Sequence, residues 1–252
     1  LGQANPEDIE DLVERIKEAK LPVLLLGMRA SAESETEAIR HLIAKTGLPV
    51  VETFQGAGII SRALEDHFFG RVGLFRNQPG DMLLKRSDLV IAVGYDPIEY
   101  EARNWNAEKD ARIIVIDEVP MEIDPYMQPE VELLGSIAKI IEQVTQAIDQ
   151  YTLSADAQNY LATLQEKLTE KQIEARGTEQ TLHPLEIIDK LQQKVTDEMT
   201  VTVDVGSHYI WMARHFRSYE PRHLLFSNGM QTLGVALPWG IAAALVRPNT
   251  QI

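Results

Sequence analysis

The chain has 252 residues, 44% of them apolar and 25% charged, enough for one large or two ordinary α/β units around a real core. Lys and Arg number 24 against 38 Asp and Glu, and the net charge of −14 argues against nucleic acid or an anionic membrane surface as a partner. Cysteine is absent, which excludes disulfide frameworks, thiolate metal sites and a cysteine nucleophile.

Asn5-Pro6-Glu7-Asp8 is a helix start, with an N-cap residue, Pro at the first helical position and acids in the first turn. Ile9, Leu12, Val13 and Ile16 give that helix its apolar stripe. Val23-Leu24-Leu25-Leu26-Gly27, bounded by turn residues, predicts a central parallel strand. A helix over residues 34–46 and a strand over residues 47–54 follow, then an irregular, Gly-rich connection and a short helix over residues 81–86. Further strands are predicted at residues 89–94, 113–117 and 131–135, and a helix at 136–148 closes the unit. Strands alternating with helices indicate a doubly wound parallel sheet.

Residues 149–179 are rich in Gln, Glu, Lys and Ala and carry only a thin stripe of Tyr160, Leu161, Leu164 and Leu168, which predicts a helical linker. His183-Pro184 opens a helix through Leu191. Val201-Thr202-Val203-Asp204-Val205 then predicts a buried strand that breaks at Gly206-Ser207-His208 and passes into a helix. A strand running through a glycine turn into a helix N-terminus aims backbone N–H groups and a positive dipole end at one spot, a ready anion site. A second apolar run, residues 223–226, ends at Ser227-Asn228-Gly229, and residues 235–246 are apolar enough to predict a helix buried on most sides. Two strand ends, each followed by a turn and a helix, would converge on one crevice, with Ser207 and Gln231 on a shared cavity.

Gly206-Ser207-His208-Tyr209-Ile210-Trp211, followed by Ser227-Asn228-Gly229-Met230-Gln231-Thr232-Leu233-Gly234-Val235-Ala236-Leu237-Pro238, resembles the cofactor domain of thiamine-diphosphate-dependent acetolactate synthases, of the catabolic, flavin-independent type. The resemblance implies an α/β chain in three parts: a Rossmann-like central domain at 1–150, a helical linker at 151–180, and the beginning of the thiamine-diphosphate-binding domain at 181–252. It implies decarboxylating condensation of two pyruvates to 2-acetolactate, with thiamine diphosphate and Mg²⁺ as cofactors. Gly206, Ser207 and His208 would line the diphosphate. Residues 227–233, with Asn228 and Gly229 among them, would hold the aminopyrimidine. The Gln231 carbonyl would accept from its 4′-amino group, and Leu233, where many relatives have Met, would be the apolar wedge that keeps the cofactor bent.

The opening at Leu1-Gly2 without Met and the ending at Thr250-Gln251-Ile252 suggest an internal piece of a longer polypeptide. No catalytic residue is expected within it, because the family's catalytic Glu lies in a separate pyrimidine domain, and the metal ligands are expected just beyond Ile252. A homodimer or homotetramer is implied for the parent. Apolar runs too short to span a bilayer and an N-terminus without a signal-peptide pattern make the cytoplasm the expected location. The isolated chain is expected to be inactive.

Other motifs have plainer readings. Gly27-Met28-Arg29-Ala30-Ser31 follows a strand as a nucleotide loop would, but with one Gly it reads as a strand-to-helix turn. Gly56-Ala57-Gly58-Ile59-Ile60-Ser61 lacks the third glycine of the dinucleotide fingerprint. Tyr95-Asp96-Pro97-Ile98-Glu99-Tyr100 stands where flavin-containing relatives carry a Val-Arg-Phe-Asp-Asp-Arg pattern, so FAD is not expected, and the second Arg of that pattern falls at Tyr100. His208, His215 and His223 are read as surface histidines on different elements rather than a metal site, and Asp117-Glu118 as a surface feature or helix cap. Two alternatives stay open. One is a neighbouring thiamine enzyme such as a pyruvate oxidase or keto-acid decarboxylase; the other is a noncatalytic nucleotide-binding module.

Overall fold

The computed structural model describes residues 1–74, 78–149, 151–169 and 181–252. Helix α1 (Pro6–Glu18) buries Ile9, Leu12, Val13 and Ile16, and strand β1 (Pro22–Leu26) follows it, buried at every position. Next come α2 (Glu33–Thr46), β2 (Val50–Thr53), β3 (Phe68–Val72), α3 (Pro79–Arg86), β4 (Leu89–Val93), β5 (Arg112–Asp117), β6 (Val131–Leu134) and α4 (Ile137–Ala147). The strands form a six-stranded parallel sheet in the order β3-β2-β1-β4-β5-β6. From β1 the chain moves outward to β3, then crosses back to β4, so the topological switch lies between β1 and β4. Helices α1, α2 and α4 cover one face over a core of Leu24, Leu26, Ile91 and Ile114, and α3 lies over the other with Leu25, Val90, Val115 and Trp105.

The structure corrects several expectations, four of them about packing and burial. The Gly-rich connection contains a strand, β3, hidden from sequence patterning by Gly70 and Arg71; its pairing with β2 is irregular between Val50 and Glu52. The expected linker contains α5 (Ala155–Thr169), which packs on the sheet's second face. Its thin stripe suffices because it has one face to cover: Ala157, Leu161 and Leu164 are buried, and the Tyr160 hydroxyl donates to the Met82 carbonyl at 3.1 Å. The linker's remainder, residues 170–180, lies outside the described residues. Asp117 is fully buried rather than a surface feature, because its carboxylate receives the Arg29 guanidinium.

The second unit comprises α6 (Pro184–Lys194), β7 (Val201–Val203), α7 (Ser207–His215), β8 (Leu224–Phe226) and α8 (Ala236–Val246), with β7 and β8 parallel. The fourth correction falls on α8. Only Ala243 is buried, and Leu237, Ile241, Leu245 and Val246 are exposed, because the two described strands cover a single side of that helix. Phe54 and Ala57 of the central unit join Tyr209, Met212, Phe216 and Phe226 in one apolar cluster, so the two units share a core. Among the described residues no helix is long and apolar enough to cross a membrane.

Candidate functional site

Strands β7 and β8 run in register, with Val201, Thr202 and Val203 opposite Leu224, Leu225 and Phe226, so both end at the same edge. The strand predicted through Val205 stops at Val203 because Asp204 turns its carboxylate onto backbone donors. Oδ1 accepts from Val205 N and Gly234 N, both at 2.8 Å, and Oδ2 from Ala236 N at 3.2 Å. These N–H groups, Gly234 first, hold the Asp204 carboxyl below its ordinary range. Asp204 thereby ties the end of β7 to the turn that opens α8. Sequence reading placed it inside a strand; an acid closing an apolar strand ahead of a Gly turn was the available signal.

Helix α7 starts directly after Gly206, and no side chain caps its first turn. Gly206, Ser207 and His208 are exposed there, so the free N–H groups of a helix N-terminus stand beside a hydroxyl and an imidazole. Ser207 and His208 face different sides. Ser207 lines a cavity of about 280 Å³ with Ile210, Trp211 and Arg214, whereas His208 lines one of about 410 Å³ that reaches α6 and Ala236.

After β8, Asn228 is buried and its side chain is committed to protein partners. Its Oδ1 accepts from the Tyr209 hydroxyl at 2.7 Å and its Nδ2 donates to the Glu99 carbonyl at 2.6 Å. Gly229 lies against Ile98. Gln231 adopts the left-handed conformation at φ 48° and is half-buried. Leu233 is 76% exposed. The structure therefore joins the two loops through Asp204, but the cavity that Ser207 lines does not include Gln231.

The central unit meets the segment after β8 at Glu99, whose carbonyl receives Asn228 Nδ2. Glu99 is buried, and its carboxylate accepts from Met28 N at 3.0 Å and the Thr53 hydroxyl at 2.7 Å. Burial pushes its carboxyl up to about 7. Tyr100, in the position of the flavin-type Arg, is buried in the central unit and donates to Asp81 Oδ1 at 2.5 Å. The expected separation of the histidines fails in part, because His208 and His215 both lie on α7, two turns apart. His223 Nδ1 donates to the Asp197 carbonyl at 2.7 Å, and no group of three metal-ligating side chains occurs among the described residues.

At the central sheet's switch point the loops after β1 and β4 touch. A Cβ on Gly27 would lie 2.4 Å from Tyr95 Cα, and one on Gly94 would lie 2.3 Å from Ala30 N. The glycines of the turn at residues 27–31 and of the β4 end thus serve backbone-to-backbone packing, in keeping with the plainer reading of that turn.

Residues 9–144 match the family described as thiamine pyrophosphate enzyme, central domain, and residues 204–252 match the thiamine pyrophosphate enzyme C-terminal TPP binding domain. The chain belongs to the thiamine pyrophosphate enzymes. Over its whole length it is 47% identical to a Bacillus subtilis (strain 168) protein named acetolactate synthase, and 37% identical to a Raoultella terrigena protein named acetolactate synthase, catabolic. It covers 44% and 45% of those two relatives, so it spans less than half the length of the curated relatives it matches. A putative thiamine pyrophosphate-containing protein of Bacillus subtilis is 27% identical over 97% of the chain, which covers 42% of it. As part of a thiamine pyrophosphate enzyme, the uncapped first turn of α7 has the chemistry a diphosphate needs. It offers N–H and hydroxyl donors, and the Asp204 carboxylate beside it is already met by backbone donors.

Proposed function

We propose that the polypeptide carrying these residues is a catabolic-type acetolactate synthase, which condenses two pyruvates to 2-acetolactate with loss of carbon dioxide. The observation that carries this reading is the likeness over the entire chain to relatives bearing that name, at 47% and 37% identity. When bound, thiamine diphosphate supplies the electron sink for decarboxylation, and the protein supplies binding and orientation. In this reading the N–H groups of residues 206–208 and the Ser207 hydroxyl bind the diphosphate, and the positive end of α7 offsets its charge. The Gln231 carbonyl accepts from the aminopyrimidine, and the exposed Leu233 offers it an apolar surface. Gly229 lets the backbone approach the same ring. Asn228 acts one step back, fixing the segment by its bonds to Tyr209 and Glu99.

Further parts of the proposal go beyond these observations. They are Mg²⁺ held with the diphosphate by ligands outside these residues, a flavin-free protein, a homodimeric or homotetrameric parent and an isolated chain without activity, all from the resemblance, and a cytoplasmic location, from the sequence pattern. The test is product analysis with the full-length protein, pyruvate, thiamine diphosphate and Mg²⁺. 2-Acetolactate is expected; acetaldehyde or acetyl phosphate as the main product overturns the assignment, and turnover by the 252-residue chain alone overturns the predicted inactivity.

A further inference from the structure

One charged pair is sealed in the junction between the two units. Arg71 on β3 and Glu52 on β2 are each about 1% exposed, with Arg71 Nε 3.2 Å from Glu52 Oε2. Glu52 is held in place a second time, since its Oε1 accepts from Ile60 N at 3.0 Å. The far side of the guanidinium leaves the central unit. Arg71 Nη1 donates to the Phe216 carbonyl at 2.7 Å and to the Ala213 carbonyl at 3.1 Å. Those carbonyls belong to the last turn and C-cap of α7. A helix leaves its final carbonyls without intrahelical partners and carries partial negative charge there, so a buried cation at that end satisfies both.

Besides its packing on α6, α7 makes further contacts that reach the central unit. Tyr209 packs edge-on against Phe54 with ring centroids 5.6 Å apart, and its hydroxyl reaches Asn228, which is bound to the Glu99 carbonyl. The nine residues of α7 span about 14 Å at 1.5 Å per residue. The proposed diphosphate grip at one end and the guanidinium at the other are therefore two ends of one short rod. Binding constellations need their supports fixed to within about 0.5 Å. A buried, two-carbonyl contact can fix the far end of the helix that well, and with Tyr209 holding the first turn it sets the direction of the rod.

We infer that Arg71, oriented by Glu52, is a positioning residue for the diphosphate grip: the central unit sets the placement of residues 206–208 by clamping the opposite end of α7. This rests on the thiamine diphosphate reading of that first turn. It gives the central unit a part in cofactor binding although none of its residues need touch the cofactor.

The test uses the full-length protein and two readouts, amide hydrogen exchange across α7 without cofactor and the Kd for thiamine diphosphate with Mg²⁺. Arg71→Met leaves Glu52 buried without its cation, a change costly enough to threaten folding, so the working variant is the double substitution Glu52→Gln with Arg71→Met, which removes both charges. Arg71→Lys keeps the charge but cannot span the carboxylate and two carbonyls at once. Leu42→Ala, in the other core layer of the central unit, controls for lost stability without touching the clamp. In the double variant the α7 amides are expected to exchange at least tenfold faster and the cofactor to bind at least tenfold more weakly, with Arg71→Lys intermediate and Leu42→Ala unchanged in Kd. Unchanged α7 exchange, unchanged Kd, or an equal loss of affinity in Leu42→Ala overturns the clamp. A wild-type protein that does not bind thiamine diphosphate overturns the reading of the site itself, and this inference with it.

Discussion

The contact between Arg29 and Asp117 sets up a test of how the central unit closes its own switch point. The Arg29 guanidinium donates from Nε to Asp117 Oδ1 at 2.9 Å and from Nη2 to Asp117 Oδ2 at 2.8 Å, and it also reaches Asp96 Oδ2 and the Tyr95 carbonyl, each at 2.9 Å. Asp117 is fully buried, while Arg29 and Asp96 are 22% and 32% exposed. Arg29→Met strips the cation from a carboxylate that water cannot reach. Removing one partner of a buried pair costs about 3–5 kcal/mol, and the partial exposure of Arg29 argues for the lower end, about 3 kcal/mol. Adding Asp117→Asn removes the stranded charge and leaves the lost bonds to Asp96 and Tyr95, so about half of the deficit should return, within the range of coupling energies for residues in contact. Urea melts followed by tryptophan fluorescence measure both variants, with Trp105 buried in the same unit as an internal probe. A single variant within about 0.5 kcal/mol of wild type, or a double variant no more stable than the single, would refute the assignment of Asp117 as a buried, Arg-dependent charge.

Three further outcomes are expected. Glu99 has a carboxyl raised by burial from 4.5 to about 7, so its contribution to stability is full below pH 4.5 and is lost as pH rises through 7. The swing is at most about 3 kcal/mol, and Glu99→Gln, which imitates the neutral acid, should flatten this part of the profile of melting temperature against pH from 4.5 to 8; an unaltered profile contradicts the buried-acid reading. Gly58 sits at φ 94°, and a Cβ there would lie 2.0 Å from the Glu220 carbonyl oxygen, so Gly58→Ala should cost about 2 kcal/mol or more through strain and forced separation of the two units. Thermal melts read that loss directly, and a neutral result would mean the loop shifts freely. Ser207→Asp puts a carboxylate at the open N-terminus of α7 and should weaken thiamine diphosphate binding at least tenfold, about 1.4 kcal/mol, by titration calorimetry of the full-length protein; equal affinity would move the diphosphate elsewhere.

Most of the central sheet could be read from residue order alone, because its inner strands are continuous apolar runs and a parallel strand covered on both faces has that composition. Strand β3 breaks the rule for a functional reason. Its Arg71 is polar in a buried strand because its partners, Glu52 and two carbonyls of α7, come from distant segments, and no local pattern records a partner 142 or 145 residues away. Asp117 was misjudged likewise: a carboxylate at a strand end reads as solvated until Arg29, 88 residues earlier, is seen to reach it. At the candidate site, the turn at residues 206–208 was legible because it is local, a glycine between a strand and a helix. The roles of Glu99, Asp204 and Asn228 were not, since each depends on which loop lies opposite.

The same contrast bears on how the two units divide their work. The second unit, taken among the described residues, is a two-stranded sheet with three helices, and one of those, α8, is mostly exposed. Two-stranded assemblies are marginal without further packing. Yet Val203, Tyr209, Ala213, Phe216 and Phe226 are nearly inaccessible, because Phe54 and Ala57 complete their cluster. Two buried polar contacts across that junction fall on the same strip, through Arg71 to α7 and through Glu99 to Asn228, while others, such as Arg40 to the Tyr219 carbonyl and Arg62 to Asp197, lie nearer the surface. The parts of the second unit that are best fixed are thus those the central unit touches, and they adjoin the turn at residues 206–208 and the segment after β8. A central unit that had drifted into a mere spacer would have no need to bury a guanidinium against the end of that helix.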